Sequence, residues 1–362
     1  MHSVYIHIPF CTHICTYCAF TKFYYNEKRV DEYLNSLEKE IKEKYKGELI
    51  KTIYIGGGSP SSLNINELRK LFSIIKIFKF DETLEFTIEV NPSDVNDEMM
   101  SLFKENKVNR ISMGVESTNI IFLHFLGRTH DFNLVKEKIN LIKKYGINNI
   151  NVDLMYALPN ETLDDLEHDI DNILSLDVTH ISTYSLMIEP HTMLDIQKQK
   201  PIAEEIDYDM YKLISNKLKE NGFMHYEISN FAKDGYESKH NLVYWNNEHY
   251  YGFGLAASGY IKNIRYTNTT SLSEYNKLNF IKEKEVLDKK DIIVYELILG
   301  FRKINGINKK DFYNKYHVDI KDLYNIRELL ENNNLGENDI NIYVNYDKIY
   351  VENSILINFV GE

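Results

Sequence analysis

Up to Asn221, short runs of β-branched residues alternate with longer stretches whose apolar residues recur at helical spacing. Alternating apolar and polar positions indicate strands, whereas a recurrence every three to four residues indicates amphipathic helices. The predicted strands are Ser3–Ile8, Thr52–Ile55, Glu85–Val90, Asn109–Met113, Asn149–Met155 and His180–Leu186. The predicted helices are Val30–Lys46, Asn64–Phe78, Asn96–Glu105, Phe132–Tyr145, Leu163–Leu176 and Glu204–Asn221. This order of elements predicts βαβ units around a parallel sheet.

About six βα units in succession favour a barrel, although a doubly wound open sheet has the same pattern of elements. In either architecture the C-terminal ends of the parallel strands gather at one edge, where ligands bind. We therefore expect the functional residues of this region to follow directly after its strands.

A smaller region with a different succession of elements opens with Lys289–Arg302. Helical patterns follow at Lys309–Tyr316 and Ile320–Asn332, and a hairpin is predicted from Ile340–Val344 and Lys348–Val351. Helices followed by a hairpin predict a small winged-helix-like α+β domain. The expected divisions are a barrel, a connecting segment and this C-terminal domain, at residues 1–225, 226–285 and 286–362.

The chain of 362 residues carries 54 acidic and 42 basic side chains, which gives a formal net charge of −12 at pH 7. Nucleic-acid binding needs a basic face, so this balance argues against nucleic acid as a partner. No apolar run approaches the roughly 18 residues that a membrane span requires, and no signal peptide is visible at Met1–Ile8. We expect a cytoplasmic protein, because free thiols persist in a reducing compartment.

All three cysteines of the chain, Cys11, Cys15 and Cys18, lie in one short run after the first predicted strand. Thiolates in this C-x3-C-x2-C spacing can bind three corners of an iron–sulfur cluster and leave one iron without a protein ligand. A structural zinc site favours four protein ligands, and a disulfide framework favours an even number of cysteines. We therefore predict a cluster with one iron open to a small chelating molecule.

A glycine-rich turn, Gly56-Gly57-Gly58-Ser59-Pro60, follows the second predicted strand. Glycines let the backbone bend sharply and approach a ligand closely. The cysteine spacing, followed one βα unit later by this turn, resembles the radical S-adenosylmethionine (SAM) superfamily. The resemblance implies a partial (β/α)6 barrel and a 4Fe–4S cluster whose open iron binds SAM. It also implies that Gly57, Gly58 and Ser59 hold the SAM amino group.

The same resemblance implies further SAM ligands. Glu89 ends the third predicted strand, and the following Asn91-Pro92 stops that strand and directs the carboxylate to the barrel mouth. Arg128 matches an arginine that binds a SAM or substrate carboxylate, which arginine can hold with two parallel hydrogen bonds. Tyr5 matches a tyrosine beside the methionine part of SAM.

Two acidic residues complete the predicted SAM site. Asp153 lies inside an otherwise apolar strand, where an unpartnered carboxylate would be costly to bury, so a cofactor partner is expected. Glu116 stands where related enzymes carry glutamine. An ionised carboxylate only accepts hydrogen bonds, so the contacts of Glu116 to SAM or to a substrate must differ from those of the relatives.

The run His240-Asn241-Leu242-Val243-Tyr244-Trp245 contains the single tryptophan of the chain. One imidazole beside two aromatic rings suits a porphyrin, although such residues are more often part of an ordinary core. The run matches the His-Asn-x-x-Tyr-Trp signature of the HemW-type haem chaperones, and resemblance to that family extends over nearly the whole chain. It implies a haem site at His240, Tyr244 and Trp245 with His240 as the iron ligand, and with three alternatives for that ligand: His191, His225 and His249.

HemW-type proteins are relatives of the oxygen-independent coproporphyrinogen III oxidase. Phe20 stands where the oxidase pattern has a fourth cysteine, and ten residues precede Cys11 where the oxidase has a long extension. Both differences favour a chaperone that delivers haem to apo-haemoproteins of the respiratory chain, including at the membrane, with flavodoxin or ferredoxin as electron donor. Two alternatives stay open: a radical enzyme acting on a porphyrin, and an iron–sulfur interaction or sensor module without a tetrapyrrole.

Overall fold

In the computed structural model, which describes residues 2–359, six consecutive strands lie parallel and form a partial barrel. The strands are β1 (His2–Ile8), β2 (Leu49–Gly57), β3 (Lys79–Val90), β4 (Arg110–Glu116), β5 (Asn149–Tyr156) and β6 (His180–Ser185). All six predicted strands are present, and the largest difference is in β3, which begins at Lys79 rather than Glu85. The α/β fold with a partial barrel is therefore confirmed.

Helices join the barrel strands, as parallel pairing requires. They are α1 (Glu27–Lys44), α2 (Ile65–Ile75), α3 (Asp97–Glu105), α4 (Ile120–Phe125), α5 (Phe132–Lys144), α6 (Leu163–Leu174), α7 (Met193–Ile196) and α8 (Glu204–Glu220). Their starts follow local capping chemistry. Asn64, for example, accepts the backbone N–H of Glu67 at 3.0 Å, and the Glu67 carboxylate accepts the N–H of Asn64 in return at 2.8 Å. The six predicted helices are confirmed.

The two faces of the barrel sheet differ in chemistry, because successive side chains of a strand point to opposite faces. Apolar residues such as Ile6, Ile55 and Ile88 face the helices and are fully buried in the main core. The alternate positions point into the barrel and are largely polar, among them Tyr5, His7, Thr52, Tyr54, Glu85, Glu89, Arg110, Asn151, Asp153 and His180. The barrel interior is therefore a polar compartment enclosed by an apolar shell.

Later residues extend both edges of the barrel sheet. These strands are β7 (Met224–Glu227), β8 (Asn230–Ala232), β9 (Tyr250–Phe253), β10 (Ser258–Ile261), β11 (Ile264–Asn268) and β12 (Ile281–Val286). The sheet has twelve strands in the order β12-β11-β10-β9-β1-β2-β3-β4-β5-β6-β8-β7, and β9 is parallel to β1. The intervening helices are α9 (Lys239–Trp245) and α10 (Leu272–Asn276). Strands β7 and β12 cross the predicted divisions at 225/226 and 285/286, so the division into segments stays a prediction.

The C-terminal region contains α11 (Lys289–Gly300), β13 (Ile307–Asn308), α12 (Lys309–Tyr316), α13 (Ile326–Glu331), β14 (Leu335–Glu337), β15 (Asn341–Val344) and α14 (Glu352–Leu356). Its sheet has the order β13-β15-β14. The predicted helix at Ile320–Asn332 is a 3₁₀ turn at Ile320–Asp322 followed by α13. Helices followed by an antiparallel hairpin agree in element order with a winged-helix-like unit.

The predicted position of the C-terminal hairpin was wrong. Strand β15 pairs with the preceding β14, whereas Lys348–Val351 belongs to a 3₁₀ helix, Tyr346–Val351. The Asn338 side chain accepts the backbone N–H of Ile340 and of Asn341, which places the turn before β15 rather than after it. Met1 and residues 360–362, the ends of the predicted segments, lie outside the described residues. Within residues 2–359, every helix is too short or too polar to span a bilayer.

Candidate cluster and cofactor site

The cysteine loop begins directly after β1, at the C-terminal end of the barrel. Cys11 is buried, and Cys15 and Cys18 are half-buried in the same loop. Burial, followed by the charges of Cys18 and Cys15, raises the pKa of the Cys11 thiol to about 12. A bound metal supplies the positive charge that converts such a thiol to a thiolate. Within residues 2–359, no three His, Cys, Asp or Glu side chains are grouped around one metal-ion position, so this loop is not a preformed site for a single ion.

Two other barrel loops hold the cysteine loop in place. The Thr16 backbone N–H donates to the Leu126 carbonyl at 3.1 Å, and the Thr16 hydroxyl donates to the Phe125 carbonyl at 2.9 Å. The Leu194 N–H donates in turn to the Thr16 carbonyl at 3.2 Å. A small apolar cluster fills the space between these loops, formed by Phe122, Leu126, Met155, Leu158, Leu186 and Leu194. The loops after β4 and β6 therefore fix the position of the cysteines.

Two glycines of the turn after β2 make room for β1 and its loop. Gly57 has a φ of +115°, and a Cβ at this position would lie 2.5 Å from His7 Nδ1. A Cβ on Gly58 would lie 3.0 Å from Cys11 Sγ and 3.0 Å from two backbone atoms. Because only glycine adopts this backbone conformation without strain, the turn can approach the cysteine loop at main-chain distance. The close backbone approach expected of the glycine run is thus present, and its role in holding SAM stays a prediction.

Glu89 lies at the C-terminal end of β3 with its carboxylate inside the barrel mouth. Its Oε1 accepts the Tyr54 hydroxyl at 2.8 Å, and its Oε2 accepts the Gly57 backbone N–H at 3.1 Å. A Cβ on Gly56 would lie 2.6 Å from Oε1, so glycine is needed there for the carboxylate to fit. Burial raises the pKa of Glu89. A desolvated carboxylate of this kind favours a cationic partner such as an ammonium group.

Arg128 connects the glycine turn to the cysteine loop through one hydrogen-bond network. Its Nη1 donates to Asn91 Oδ1 at 2.6 Å, and Asn91 Nδ2 donates to Ser59 Oγ at 2.6 Å. Its Nη2 donates to the Glu116 carboxylate and to the Tyr17 hydroxyl. Its Nε is buried and has no hydrogen-bond partner among residues 2–359. The structure thus brings the predicted site residues Ser59, Arg128 and Glu116 together and leaves one N–H of the guanidinium, at Nε, without a partner in the described part of the chain.

Three carboxylates share the barrel mouth, from Glu89, Glu116 and Asp153. Burial, followed by the charges of Glu116 and Glu89, raises the pKa of Asp153 to about 7. Asn151 Nδ2 donates to Asp153 Oδ1 at 2.7 Å. Glu116 ends β4 with a φ of +68°, a left-handed conformation that is strained for a residue with a side chain. The mouth is therefore an acidic site with one arginine paired to one of its acids.

The residues of the haem signature lie at the opposite end of the barrel, in α9. His240 is 1% exposed. Its Nδ1 is hydrogen-bonded to Thr52 Oγ1 at 2.7 Å, and its Nε2 to the Tyr244 hydroxyl at 2.8 Å. Burial lowers the pKa of His240 to about 3. In this arrangement both ring nitrogens are occupied, so binding of haem iron by His240 stays a prediction that requires the ring to leave both partners.

Interior residues of the barrel hold α9 against the N-terminal ends of the strands. The Glu85 carboxylate accepts the backbone N–H of Lys239 at 3.1 Å and of His240 at 3.0 Å. The Tyr226 hydroxyl bonds His180 Nε2 at 2.8 Å and accepts the Ser238 N–H at 3.2 Å. Helix α9 therefore closes the floor of the barrel.

The alternative haem ligands lie elsewhere. His225 Nε2 is bonded to the Ile228 carbonyl at 3.3 Å, and the His225 ring stacks on Phe231. His249 Nε2 is bonded to the Lys262 carbonyl at 2.8 Å. His191 is exposed in the loop between β6 and α7. The structure does not bring these histidines together with His240.

A cavity of about 340 Å³ opens beside α9. Its walls are mostly apolar and aromatic and include Tyr5, Tyr244, Trp245, Tyr250, Arg265 and Leu299. Arg265 Nη2 donates to Asn247 Oδ1 at 2.6 Å, and the Arg265 guanidinium lies over the Tyr260 and Tyr295 rings. Its Nε has no hydrogen-bond partner in the part of the chain that the structure describes. Tyr244 and Trp245 are thus accessible from this cavity, while His240 is not part of its lining.

Four residues of these networks were missed from the sequence. Tyr17 and Asn91 both contact Arg128. At the mouth, the Tyr54 hydroxyl donates to Glu89, and at the floor, Glu85 accepts a backbone N–H of α9. The position of Asn91 directly after a predicted strand was a usable signal, because strand ends carry sites in this architecture. The period-two alternation of polar residues in β2 and β3 was the corresponding signal for Tyr54 and Glu85.

Comparison with known proteins gives three findings. Residues 5–173 match the model of the Radical SAM superfamily. The chain is 41% identical to the heme chaperone HemW of Lactococcus lactis, over 93% of this chain and 91% of that protein, and 39% identical to that of Bacillus subtilis over the full length of both. The structure of coproporphyrinogen III oxidase (HemN) from Escherichia coli, a radical SAM enzyme, superposes with a TM-score of 0.87 at 20% identity, covering 99% of this chain and 89% of the oxidase. The oxidase comparison supports the fold.

Proposed function

Because the chain belongs to the HemW family of the radical SAM superfamily, we propose that it is a haem chaperone, which binds haem and transfers it to apo-haemoproteins. The observation that carries this proposal is the match to proteins named as haem chaperones over the whole chain. The residues of the mouth alone fit any radical SAM protein, and the fold is shared with an oxidase.

Membership of the superfamily implies a 4Fe–4S cluster and SAM, and the mouth fits both groups. Cys11, Cys15 and Cys18 would hold the cluster, which when bound supplies a low-potential electron and an open iron. The glycine turn offers the close backbone approach that a ligand needs there. Glu89 offers a desolvated acceptor for the SAM ammonium group, and the partnerless Nε of Arg128 offers a donor for the SAM carboxylate. Glu116 and Asp153 complete the proposed SAM residues at the mouth. Tyr5 stays a proposed SAM residue and also lines the cavity beside α9.

We place haem at the cavity beside α9. Tyr244 and Trp245 supply aromatic walls for the macrocycle, and Arg265 supplies an N–H donor for a propionate carboxylate. A volume of about 340 Å³ is at the small end of ligand pockets, so this cavity fits one edge of haem rather than the whole molecule. Partial enclosure suits a carrier, which must release its cargo. His240 then acts by positioning Tyr244, to which it is hydrogen-bonded.

The partners follow from the same proposal. Haem and apo-haemoproteins are required for the activity itself. We further propose that the acceptors are apo-haemoproteins of the respiratory chain, met also at the membrane, and that flavodoxin or ferredoxin reduces the cluster. The cytoplasm is the proposed compartment, because three reduced thiols are needed for the cluster.

The test is haem binding and haem transfer by the full chain after anaerobic cluster reconstitution. We expect stoichiometric haem retention, and transfer to apo-myoglobin as a model acceptor. Trp245→Ala and Arg265→Gln should each weaken haem binding by about tenfold, since each removes about one buried contact. Arg69→Gln is the matched control, because Arg69 is an exposed arginine whose nearest acid, Glu98, is 4.0 Å away.

Coproporphyrinogen III is incubated with SAM and reductant in parallel samples. Loss of its propionate carboxyl groups in step with 5′-deoxyadenosine release would make the protein an oxidase despite Phe20. An intact cluster with no haem uptake would instead support an iron–sulfur interaction or sensor module. If haem binds but both cavity variants bind it as tightly as the unmodified chain, the haem site lies elsewhere.

A further inference from the structure

Glu116 is the one acid of the mouth that is paired with an arginine. Its carboxylate accepts hydrogen bonds from Arg128 Nη2 and from the Tyr17 hydroxyl, the latter at 2.9 Å. Both side chains of the ion pair are at most 10% exposed. Gly114 leaves room for this pair, since a Cβ there would lie 2.9 Å from Arg128 Nη2 and 3.1 Å from Glu116 Oε1. The pair is therefore a buried and closely packed part of the site.

The pairing of Glu116 decides the net charge that the mouth presents to a ligand. Within this ion pair the Glu116 carboxylate neutralises the positive charge of Arg128. A neutral amide at position 116 would leave the Arg128 charge uncompensated in the same low-dielectric space. The site would then be more positive by one unit charge.

Two ligands of the adenosyl-sulfur class, SAM and S-adenosylhomocysteine, differ in net charge by one unit. SAM carries a sulfonium cation, whereas S-adenosylhomocysteine has an uncharged thioether sulfur. The two ligands share the ammonium group, the carboxylate and the adenosine. Contacts that Arg128 makes with the shared carboxylate therefore contribute equally to both affinities. A change in the charge of the site alters the difference between the two affinities only through its effect on the sulfonium.

We propose that Glu116 is a specificity-determining residue, which makes this site select the cationic sulfonium of SAM over the neutral thioether of S-adenosylhomocysteine. It acts by neutralising Arg128, so that the positive charge of the guanidinium does not repel the sulfonium. This inference concerns the SAM site and does not depend on haem binding, so the two proposals fail or succeed separately.

The experiment measures the dissociation constants of SAM and of S-adenosylhomocysteine by equilibrium dialysis, for the full chain with its cluster reconstituted. We define the ratio as the dissociation constant of S-adenosylhomocysteine divided by that of SAM. We expect Glu116→Gln to lower this ratio at least tenfold, because one unit charge within about 12 Å at an effective dielectric of about 20 accounts for a tenfold change. Tyr17→Phe is the matched control. It removes a hydrogen bond to the same carboxylate without changing any charge, so the ratio should stay as in the unmodified chain.

A ratio that changes less than about twofold in Glu116→Gln, with an unchanged melting temperature, would overturn the proposal and leave Glu116 a structural partner of Arg128. If Glu116→Gln binds neither ligand or fails to fold, Glu116→Asp decides, because it keeps the charge at a shorter reach. A ratio in Glu116→Asp close to that of the unmodified chain supports the proposal. A ratio that falls in Glu116→Asp although the charge is retained overturns it.

Discussion

Glu85 and Glu89 lie on the same inner face of β3, yet they have different partners at the two ends of the barrel. Both oxygens of Glu85 accept backbone N–H groups of α9, so this carboxylate is satisfied by the chain itself. Glu89 accepts one hydroxyl and one backbone N–H, and it stands beside two further acids at the mouth. Residue type, strand face and number of protein donors are the same, so what distinguishes the two carboxylates is their surroundings: Glu85 holds the backbone of α9, whereas Glu89 stands beside two further acids.

The comparison extends to the two ends of the barrel as a whole. At the floor, the imidazoles of His180 and His240 use both ring nitrogens in hydrogen bonds. At the mouth, the Nε of Arg128 has no partner within the described residues, and burial raises the pKa of Asp153. Buried polar groups are normally satisfied, so the Nε of Arg128 is a donor available to a ligand. The floor is not free of such groups, since the Nε of Arg110 also has no partner within residues 2–359.

The largest expected effect at the mouth is that of Cys11→Ala. Loss of one of three thiolates should abolish the stable cluster, because no other cysteine exists in the chain to replace it. Iron and sulfide content after anaerobic reconstitution measures this. A variant that keeps the iron and sulfide content of the unmodified chain would contradict the assignment of this loop as the cluster site.

The next largest effect is expected from Glu89→Gln. SAM affinity should fall by roughly 10- to 100-fold, because a hydrogen bond to a charged group contributes about 1.5–3 kcal/mol. Equilibrium dialysis with SAM measures the loss. Glu85→Gln is the control, since it makes the same change on the same strand at the other end. Equal losses in the two variants would mean that mouth and floor are not separate in function.

For Glu85→Gln the expected loss is one of stability. A glutamine can accept with one atom where Glu85 accepts with two, so one buried N–H of α9 loses its partner. The free energy of unfolding should fall by about 1–3 kcal/mol, with SAM affinity unchanged. Urea denaturation of the variant and of Glu89→Gln gives the comparison. A stability equal to that of the unmodified chain would show that α9 is not held by Glu85.

The last expected effect is a pH dependence at the mouth. The pKa of Asp153 is about 7 in the folded chain and 3.8 for the ordinary group, so the unfolded chain loses this proton first. The free energy of unfolding should therefore fall as the pH rises from about 4 to about 7, and level off above. Asp153→Asn should remove this part of the slope in denaturation curves without SAM. Parallel curves for both proteins would contradict the pKa shift.

The barrel and its mouth could be predicted from the sequence because local signals specify them. The alternation of strands and helices is a short-range pattern, Glu89 ends a predicted strand, and Asp153 interrupts an apolar one. Arg128 was assigned from the family resemblance. The floor could not be predicted in the same way. The contacts of Glu85 and Thr52 with α9 depend on residues far along the chain, and no local pattern in either segment specifies that they meet.

The misplaced C-terminal hairpin has the same origin, whereas the haem role of His240 stays a prediction. The hairpin around Asn345 was placed on the basis of local alternation, but pairing of β15 with β14 rather than with later residues is decided by the turn at Asn338. For His240 the signature suggested a surface for a porphyrin. The side-chain environment, with two hydrogen bonds from distant and neighbouring residues, is visible only in the folded structure.

The floor of the barrel also sets the order of events during translation. The backbone donors that complete Glu85 lie 154 and 155 residues later in the chain. While the ribosome is still synthesising that stretch, the six barrel strands already precede it in the chain, yet the carboxylate of Glu85 lacks both of its backbone donors. Closure of the barrel is thus a late step of biosynthesis, and a nascent chain that stops short of α9 remains open at one end.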